Sequence, residues 1–209
     1  MTPSTRYPSE DVDASVLAKP LKFEFSGLTA PNGFLKASMT ERISSWNPKN
    51  IEARGVPGKE MINVYKRWGE GGFGVILTGN ILIDLINLEA AGNPVIPPDA
   101  PFEGERFEAF KEMATQSKAH GSLVMGQVNH PGRQVQDKMN PHPVSPSDIQ
   151  LEGEVMGMHF GKPRTATQED VDGFIEGWAH AAEYLERAGY DGIQLHCGTY
   201  IDNTHTSLC

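Results

Sequence analysis

Stretches with apolar residues at helical spacing alternate along the chain with short, almost continuously apolar runs. Three helices are predicted: Gly58 to Gly69, Glu105 to His120, and one that begins after Thr167. The third has the clearest apolar face, formed by Val171, Phe174, Ile175, Trp178, Ala182 and Leu185. Residues three and four positions apart share one side of a helix, so each predicted helix has a side suited to burial.

Helix-end signals support the third helix. Thr167, followed by Asp170 three positions later, resembles a capping box, with aspartate where glutamate or glutamine is usual. Gly189 stands where a glycine with positive φ commonly ends a helix. The sequence therefore predicts a helix that begins at Thr167 and ends before Gly189.

The apolar runs are predicted strands. FLKASM precedes the first helix, and FGVILTG, SLVMGQ and YDGIQLH follow the first, second and third helices. Strands that alternate with helices form βα units and a parallel sheet. Before the last helix, the segment from Pro131 to Ala166 is a long loop rich in proline, glycine and serine, and loops of that length are commonly functional.

A glycine motif bears on the choice between two α/β architectures. A doubly wound sheet carries its phosphate loop between a strand and the helix that follows. GEGGFG, from Gly69 to Gly74, has the G-x-G-x-x-G spacing but follows a helix and precedes a strand, the reverse of the required order. We interpret it as a helix stop and tight turn. We therefore predict an α/β fold of the TIM-type (β/α) barrel, represented by about its first half: strands one to four with the helices between them.

Composition restricts the class of partner. The 209 residues carry a formal net charge of -9, and the pI is near 5.2. This balance argues against nucleic acid and anionic membranes as partners. The chain contains no apolar run near the roughly 18 residues of a membrane span. Its N-terminal MTPSTRYPSEDVDAS is too polar for a secretory signal. A cytoplasmic protein is predicted.

Cysteine usage adds one exclusion. Both cysteines, Cys197 and Cys209, lie near the C-terminus, so a disulfide framework is excluded for the body of the protein. A metal site formed by these cysteines with His196 and His205 is a further alternative, but the spacing fits no standard zinc pattern. We therefore predict no metal site.

The residues at the predicted strand ends, where (β/α) barrels carry their chemistry, are as a set polar and mostly uncharged. They are Ser38, Met39, Thr40, Thr78, Gly79, Asn80, Gln127, Asn129, His130, Arg133 and His196. The set has no paired carboxylates, and the chain has no H-E-x-x-H or G-x-S-x-G motif, which argues against hydrolysis. Hydroxyl, amide and imidazole groups suit a planar heterocycle such as a flavin or nicotinamide ring, and such a cofactor performs the redox chemistry itself.

Five motifs occur in order along residues 20–196: FEFSGLTAPNGFLKASMTER, GEGGFGVILTGN, VMGQVNHPGRQ, PVSPSD and AGYDGIQLH. Together they resemble the N-terminal half of the old yellow enzyme family. The family consists of FMN-dependent ene-reductases built on a TIM barrel. The resemblance implies FMN as cofactor, NAD(P)H as reductant, a small enone-type substrate, and hydride transfer from the reduced flavin to an activated alkene.

The resemblance also implies which residues bind the cofactor. Backbone groups of Ser38 and Met39 would pass the flavin, and the Thr40 hydroxyl would hydrogen-bond the ring near its reactive edge. Asn80 would line the ring, and the Gln127 amide, which both donates and accepts, would bind the pyrimidine edge. A capping role for Thr40 and an ordinary buried amide at Gln127 are the alternatives.

His196 is the implied substrate-binding residue. In the family, the histidine of strand four donates to the substrate's carbonyl oxygen and stabilises the negative charge that develops during hydride transfer. A structural histidine is the alternative. The family has a second donor three positions later and a proton-donating tyrosine five positions later, where this chain has Thr199 and Ile201. Tyr200 is one position out of register, so we assign no catalytic proton donor.

The chain is expected to have three parts: a flexible arm (1–19), a partial FMN-binding barrel (20–196), and a divergent, disordered tail (197–209). We expect the barrel to be truncated after its fourth strand. An open half barrel exposes strand edges, and the last predicted strand would then be available for self-association. The alternative to an active oxidoreductase is a catalytically inactive half barrel or an interaction module.

Overall fold

The computed structural model describes residues 12–155 and 157–196. Short 3-10 helices span Ala14–Ala18 and Ile51–Ala53. The strands and α-helices, in chain order, are β1 (Leu21–Lys22), β2 (Thr29–Ala30), β3 (Leu35–Lys36), α1 (Lys59–Glu70), β4 (Val75–Leu82), α2 (Gly104–Lys118), β5 (Leu123–Asn129), β6 (Val144–Ser145), β7 (Arg164–Thr165), α3 (Gln168–Arg187) and β8 (Gly192–His196).

A parallel sheet in the order β3-β4-β5-β8 forms the centre of the fold. The four strands lie side by side in the order in which they occur along the chain, and a helix connects each strand to the next. The predicted parallel α/β arrangement is confirmed. A doubly wound sheet reverses its strand order at a switch point, and this sheet has no such reversal among the described residues.

The three α-helices lie close to their predicted positions, and the third has the predicted ends. Thr167 accepts from the backbone N–H of Asp170, and the Asp170 carboxylate accepts from the backbone N–H of Thr167, which completes a capping box. Gly189 follows the helix with φ +92°, a conformation that a side chain would strain. The GEGGFG segment ends α1 and turns at Gly72 with φ +71°, as predicted.

Helices cover one face of the sheet and form the main core with it. The core side chains come from all three helices and from β4 and β5, and they include Met61, Tyr65, Phe107, Phe110, Tyr184, Leu185, Ile76, Ile81, Val124 and Val128. Tyr184 packs edge-on against Phe107 and Phe110, at ring-centroid distances of 5.2 and 5.9 Å. This layer fixes the sheet on one side and leaves the other face for the site.

The first strand of the sheet is shorter than predicted. FLKASM suggested a strand from Phe34 to Met39, but only Leu35 and Lys36 pair with β4. The pairing ends just before the point where β4 bulges, between Leu77 and Asn80, and where its regular ladder with β5 is interrupted. The segment from Ser38 onward therefore lies outside the ladder and is free to place its side chains beside the strand ends.

The β1–β2 hairpin lies near the N-terminal ends of the sheet strands. The hairpin and these strand ends line a mostly apolar cavity of about 420 Å³, to which Leu21, Phe23, Leu35, Leu123 and Met125 contribute. The site described below lies at the opposite, C-terminal ends of the strands. The hairpin therefore lines the lower end of the sheet and leaves the upper end to the site.

Two segments of the expected domain division reach beyond the described residues. Within the expected N-terminal arm, Ala14–Ala18 form a 3-10 helix, and the Leu17 carbonyl accepts from the backbone N–H of Gly33 at 3.0 Å. The expected tail, 197–209, lies outside the described residues, as do Thr199, Tyr200 and Ile201. Across residues 12–155 and 157–196, none of the helices combines the length and the apolar character needed to cross a membrane.

Candidate functional site

Side chains from three neighbouring segments form a hydrogen-bonded row across the C-terminal part of the sheet. The Ser38 hydroxyl donates to Oε1 of Gln127 at 2.6 Å. Nε2 of Gln127 in turn donates to Oε1 of Gln194 at 2.7 Å. Because Gln127 and Gln194 are paired in the parallel register, their side chains lie on the same face of the sheet. The row therefore fixes which end of the Gln127 amide is the acceptor and which is the donor.

A second contact joins Asn80 to the loop after β3. Nδ2 of Asn80 lies 3.4 Å from the Thr40 hydroxyl oxygen, to which it donates. Asn80 is paired with Gln127 across β4 and β5, so it lies beside the polar row. Asn80 and Gln127 are both buried, whereas Thr40 is exposed. The structure thus brings together four of the predicted cofactor residues, and the fifth, Met39, lies between Ser38 and Thr40 with its side chain exposed.

A bulge in β4 explains why Asn80 lies on this face. Leu77 pairs with Met125 and Asn80 pairs with Gln127, so β4 advances by three residues where β5 advances by two. Thr78 and Gly79 therefore stand opposite Gly126 alone. In a regular strand, side chains alternate between faces, and Gly79 rather than Asn80 would share the face of Leu77. The extra residue is what turns Asn80 toward Gln127.

Thr78 replaces a missing part of the ladder at the bulge. Its hydroxyl oxygen accepts from the backbone N–H of Gln127 at 2.9 Å and donates to the Gly79 carbonyl at 2.9 Å. Thr78 is fully buried. Buried backbone groups are costly to leave unpaired, so this hydroxyl stabilises the irregular pairing from the side of β5.

Three side chains, buried Lys36 and Tyr65 and half-buried Glu41, bond the Leu77 carbonyl and the Gly79 N–H at the bulge; we name Lys36, Glu41 and Tyr65 the bulge clamp. The Gly79 N–H donates to the Tyr65 hydroxyl at 2.9 Å and to Oε1 of Glu41 at 3.1 Å. The Tyr65 hydroxyl donates to the same Glu41 oxygen. On the other side of the bulge, Nζ of Lys36 donates to the Leu77 carbonyl at 2.9 Å.

Burial shifts the pKa values of two clamp residues, Tyr65 and Lys36. It raises the pKa of Tyr65 well above its usual value, and nearby Glu41 raises it further, so the phenol keeps the proton that it donates. Burial lowers the pKa of Lys36 to about 8, and Glu41 opposes this shift. Nζ of Lys36 also lies 3.8 Å from the centroid of the Trp68 ring, a cation–π contact.

His196 lies at the last position of β8 and is half-buried. It pairs with Asn129 in the parallel register, two residues beyond the pairing of Gln127 with Gln194. The two pairs therefore lie on the same face, with His196 closer to the strand ends. Asn129 is almost fully buried, and its Oδ1 has no hydrogen-bond partner among the described residues.

Several site residues were missed from the sequence. Gln194 is two positions before His196, and strand alternation alone would have placed the two on one face. Glu41 and Tyr65 carried no such signal, because Glu41 follows the ASMT segment as an ordinary charged residue and Tyr65 belongs to the apolar face of α1. Their importance depends on contacts across 38 and 14 positions of the chain.

The donor and acceptor chemistry of the row fits the edge of a planar heterocycle. Gln127 uses one of its two amide N–H groups on Gln194 and one side of Oε1 on Ser38. One N–H and one acceptor position remain, which match adjacent donor and acceptor atoms on a flavin ring. Ser38, Thr40, Asn80, Gln127 and Gln194 are all uncharged, so this cluster suits the ring rather than the phosphate.

Comparison with known proteins identifies similar sequences over most of the chain. The sequence profile of the NADH:flavin oxidoreductase / NADH oxidase family matches residues 17–200. The NADH-dependent flavin oxidoreductase nadA of Aspergillus parasiticus is 51% identical over 185 residues, which are 88% of this chain and 42% of that protein. The NADH-dependent flavin oxidoreductase iliE of Hypocrea jecorina is 31% identical over 81% of this chain and 43% of its own length. The chain thus spans less than half the length of these two curated relatives.

A solved structure shows the same fold. The old yellow enzyme homologue from Zymomonas mobilis superposes with a TM-score of 0.73 at 22% identity, over 88% of this chain and 49% of that one. A likeness at this identity concerns the fold alone. It confirms the prediction of a TIM-type (β/α) barrel represented by about its first half.

Proposed function

The chain belongs to the NADH:flavin oxidoreductase / NADH oxidase family, and from this membership we propose that it contributes the first half of an FMN-dependent oxidoreductase of the ene-reductase type. The observation that carries the proposal is the row from Ser38 through Gln127 to Gln194. A buried amide held at both ends, with one donor and one acceptor left over, is suited to recognise the edge of a flavin ring.

The described residues would bind and orient the ring rather than perform the chemistry. Gln127 would address the pyrimidine edge, and Ser38 and Gln194 would keep its amide from rotating. Thr40, held by Asn80, would present its hydroxyl near the reactive edge. When bound, FMN supplies hydride transfer to an activated alkene.

His196 would act on the substrate. Its imidazole N–H would donate to the carbonyl oxygen of an enone-type substrate, where negative charge grows as the hydride arrives. The position on β8, on the face of Gln127 and Gln194, supports this role. A proton donor for the α-carbon is not assigned to any residue of this chain.

NAD(P)H is the proposed reductant, and NADH is the specific choice that the names of both fungal relatives favour. The substrate class is a small enone-type molecule. A protein of this kind would work in the cytoplasm. These statements concern the whole activity, whereas the chain spans less than half of each of these relatives.

The proposal is tested by titrating the purified chain into FMN and recording flavin fluorescence and visible absorbance. We expect saturable binding and a perturbed flavin spectrum. Gln127→Leu should weaken binding about 10- to 100-fold, because it removes two hydrogen bonds to the ring worth roughly 1 kcal/mol each. The matched control is Gln116→Leu, at a half-buried glutamine of α2 whose amide donates to Glu112; this variant should bind like the wild type. Absence of binding by the wild-type chain, or equal affinity of both variants and the wild type, would contradict the proposal.

A further inference from the structure

The bulge in β4 decides which side chain of that strand faces Gln127, and irregular pairing of this kind needs support. A bulge interrupts ladder hydrogen bonds and leaves backbone groups to be satisfied by other partners. At this bulge the partners lie on both sides. On the side of β5, the Thr78 hydroxyl accepts from the Gln127 backbone N–H. On the other side, the bulge clamp of Lys36, Glu41 and Tyr65 bonds the Leu77 carbonyl and the Gly79 N–H.

We propose that Glu41 and Tyr65 are positioning residues: by holding the Gly79 amide they maintain the bulge and so keep Asn80 turned toward Gln127 in the cofactor site. The structural part of this proposal depends only on the contacts of the chain. Its consequence for FMN rests on the proposed function.

The arrangement also requires glycine at position 79. A Cβ built on Gly79 would lie 2.3 Å from Oε2 of Glu41 and 2.3 Å from the Met39 carbonyl oxygen. Only a residue without a side chain lets the carboxylate and the loop after β3 approach the bulge this closely. The same absence of a side chain lets the Met39 carbonyl, between Ser38 and Thr40, lie directly against β4.

Each hydrogen bond of the clamp has a defined donor and a defined acceptor. Tyr65 is fully buried and accepts from Gly79 while donating to Glu41, so its single hydroxyl proton is committed to the carboxylate. The same Glu41 oxygen accepts from both donors, and its other oxygen, Oε2, is buried with no hydrogen-bond partner among the described residues. A glutamine at position 41 can still accept through its carbonyl oxygen, whereas an alanine leaves Gly79 and Tyr65 without that acceptor.

The test uses 15N-labelled versions of the 209-residue chain, with two-dimensional NMR and amide hydrogen exchange as readouts. The variants are Glu41→Ala, Glu41→Gln and Tyr65→Phe. One control is Glu176→Gln, at an exposed glutamate of α3. The other is Tyr184→Phe, at a buried tyrosine whose hydroxyl has no hydrogen-bond partner among the described residues. FMN affinity is measured on the same samples.

In Glu41→Ala and Tyr65→Phe, we expect the Gly79 amide to exchange about tenfold faster or more and the side-chain amide signals of Asn80 and Gln127 to shift. Glu41→Gln should restore most of the wild-type protection, and both controls should leave these signals in place. FMN dissociation constants should rise about tenfold in the two disruptive variants. If Glu41→Ala does not fold, Tyr65→Phe still removes one partner of Gly79 and decides the question.

Unchanged Gly79 exchange and unchanged Asn80 and Gln127 signals in Tyr65→Phe and Glu41→Ala would overturn the inference, whatever the affinity for FMN. Altered signals with no binding of FMN by the wild-type chain would support the inference while contradicting the proposed function. Faster exchange to the same extent in Tyr184→Phe would also overturn it, because the effect would then reflect loss of a buried hydroxyl in general.

Discussion

Single residues at the upper end of the sheet differ mainly in how deeply they are buried. His130 follows β5 directly and is fully buried, with its ring 4.2 Å from the ring of Phe174. Its Nε2 lies 3.9 Å from an Asp84 oxygen. Burial lowers the pKa of His130 to about 4, and Asp84 only partly opposes this shift. At neutral pH, His130 is thus an uncharged side chain packed against α3 rather than a solvated charge.

This burial predicts a loss of stability in mild acid. In the unfolded chain His130 gains a proton near its usual pKa of about 6.5, and in the folded protein only near 4. The unfolded state therefore binds more protons between these values, so the free energy of unfolding falls as pH drops through this window, by up to about 3 kcal/mol. Urea unfolding of the wild type and of His130→Gln at several pH values measures this contribution.

The variant should be less stable than the wild type at pH 7 and show a smaller decline between pH 6.5 and 4. His142→Gln, at an exposed histidine, is the control and should follow the wild-type curve. An equally steep decline in His130→Gln would show that other groups cause the acid sensitivity.

Among the elements, α3 and β4 illustrate two ways in which ends and irregularities are stabilised. The capping box of α3 is local, and Arg164 strengthens it with two hydrogen bonds to Asp170 at 2.6 and 2.7 Å. The bulge of β4, by contrast, is held by residues from β3, the loop after it and α1. The capping box can be predicted from four consecutive residues, whereas the bulge can be recognised only in the folded chain.

Thr167→Ala tests the local cap. The side chain satisfies an otherwise unpaired N–H in the first turn of α3, so its loss should reduce the free energy of unfolding by about 1 kcal/mol. Chemical denaturation at neutral pH measures the difference. Thr115→Ala is the matched control: this exposed threonine of α2 bonds back to the Lys111 carbonyl, so its removal should cost little. Equal losses in the two variants would refute the capping role.

At the scale of the whole molecule, the sheet is covered unevenly. No other strand among the described residues pairs with the outer edge of β8. Leu195 on this strand is 53% exposed, and Leu35 on the opposite edge strand, β3, is 55% exposed. Unpaired edges with exposed apolar side chains favour association with another strand.

We therefore predict concentration-dependent self-association through the β8 edge. Leu195→Lys places a charge on that strand and should raise the dissociation constant of the complex about tenfold or more. Sedimentation velocity over a range of protein concentrations measures it. Leu17→Lys, at an exposed leucine in the 3-10 helix, is the control and should associate like the wild type. Identical behaviour of Leu195→Lys and the wild type would exclude this edge.

The sequence by itself determined the helices, the cap at Thr167, the parallel sheet, and that Ser38, Thr40, Asn80 and Gln127 lie near the C-terminal ends of its strands. These follow from periodicity and short motifs, which act over a few positions and survive without knowledge of the neighbours. His196 was placed at the correct strand end by the same local logic.

Only the tertiary structure decided how long β3 is, which face Asn80 occupies, and what holds the bulge. Strand alternation in the sequence would turn Gly79, not Asn80, to the face of Leu77. The outcome is reversed by contacts between residues 38 and 49 positions apart, from Glu41 to Gly79 and from Thr78 to Gln127. A bulge is a balance between lost ladder bonds and replacement partners, and those partners exist only once distant segments have packed together.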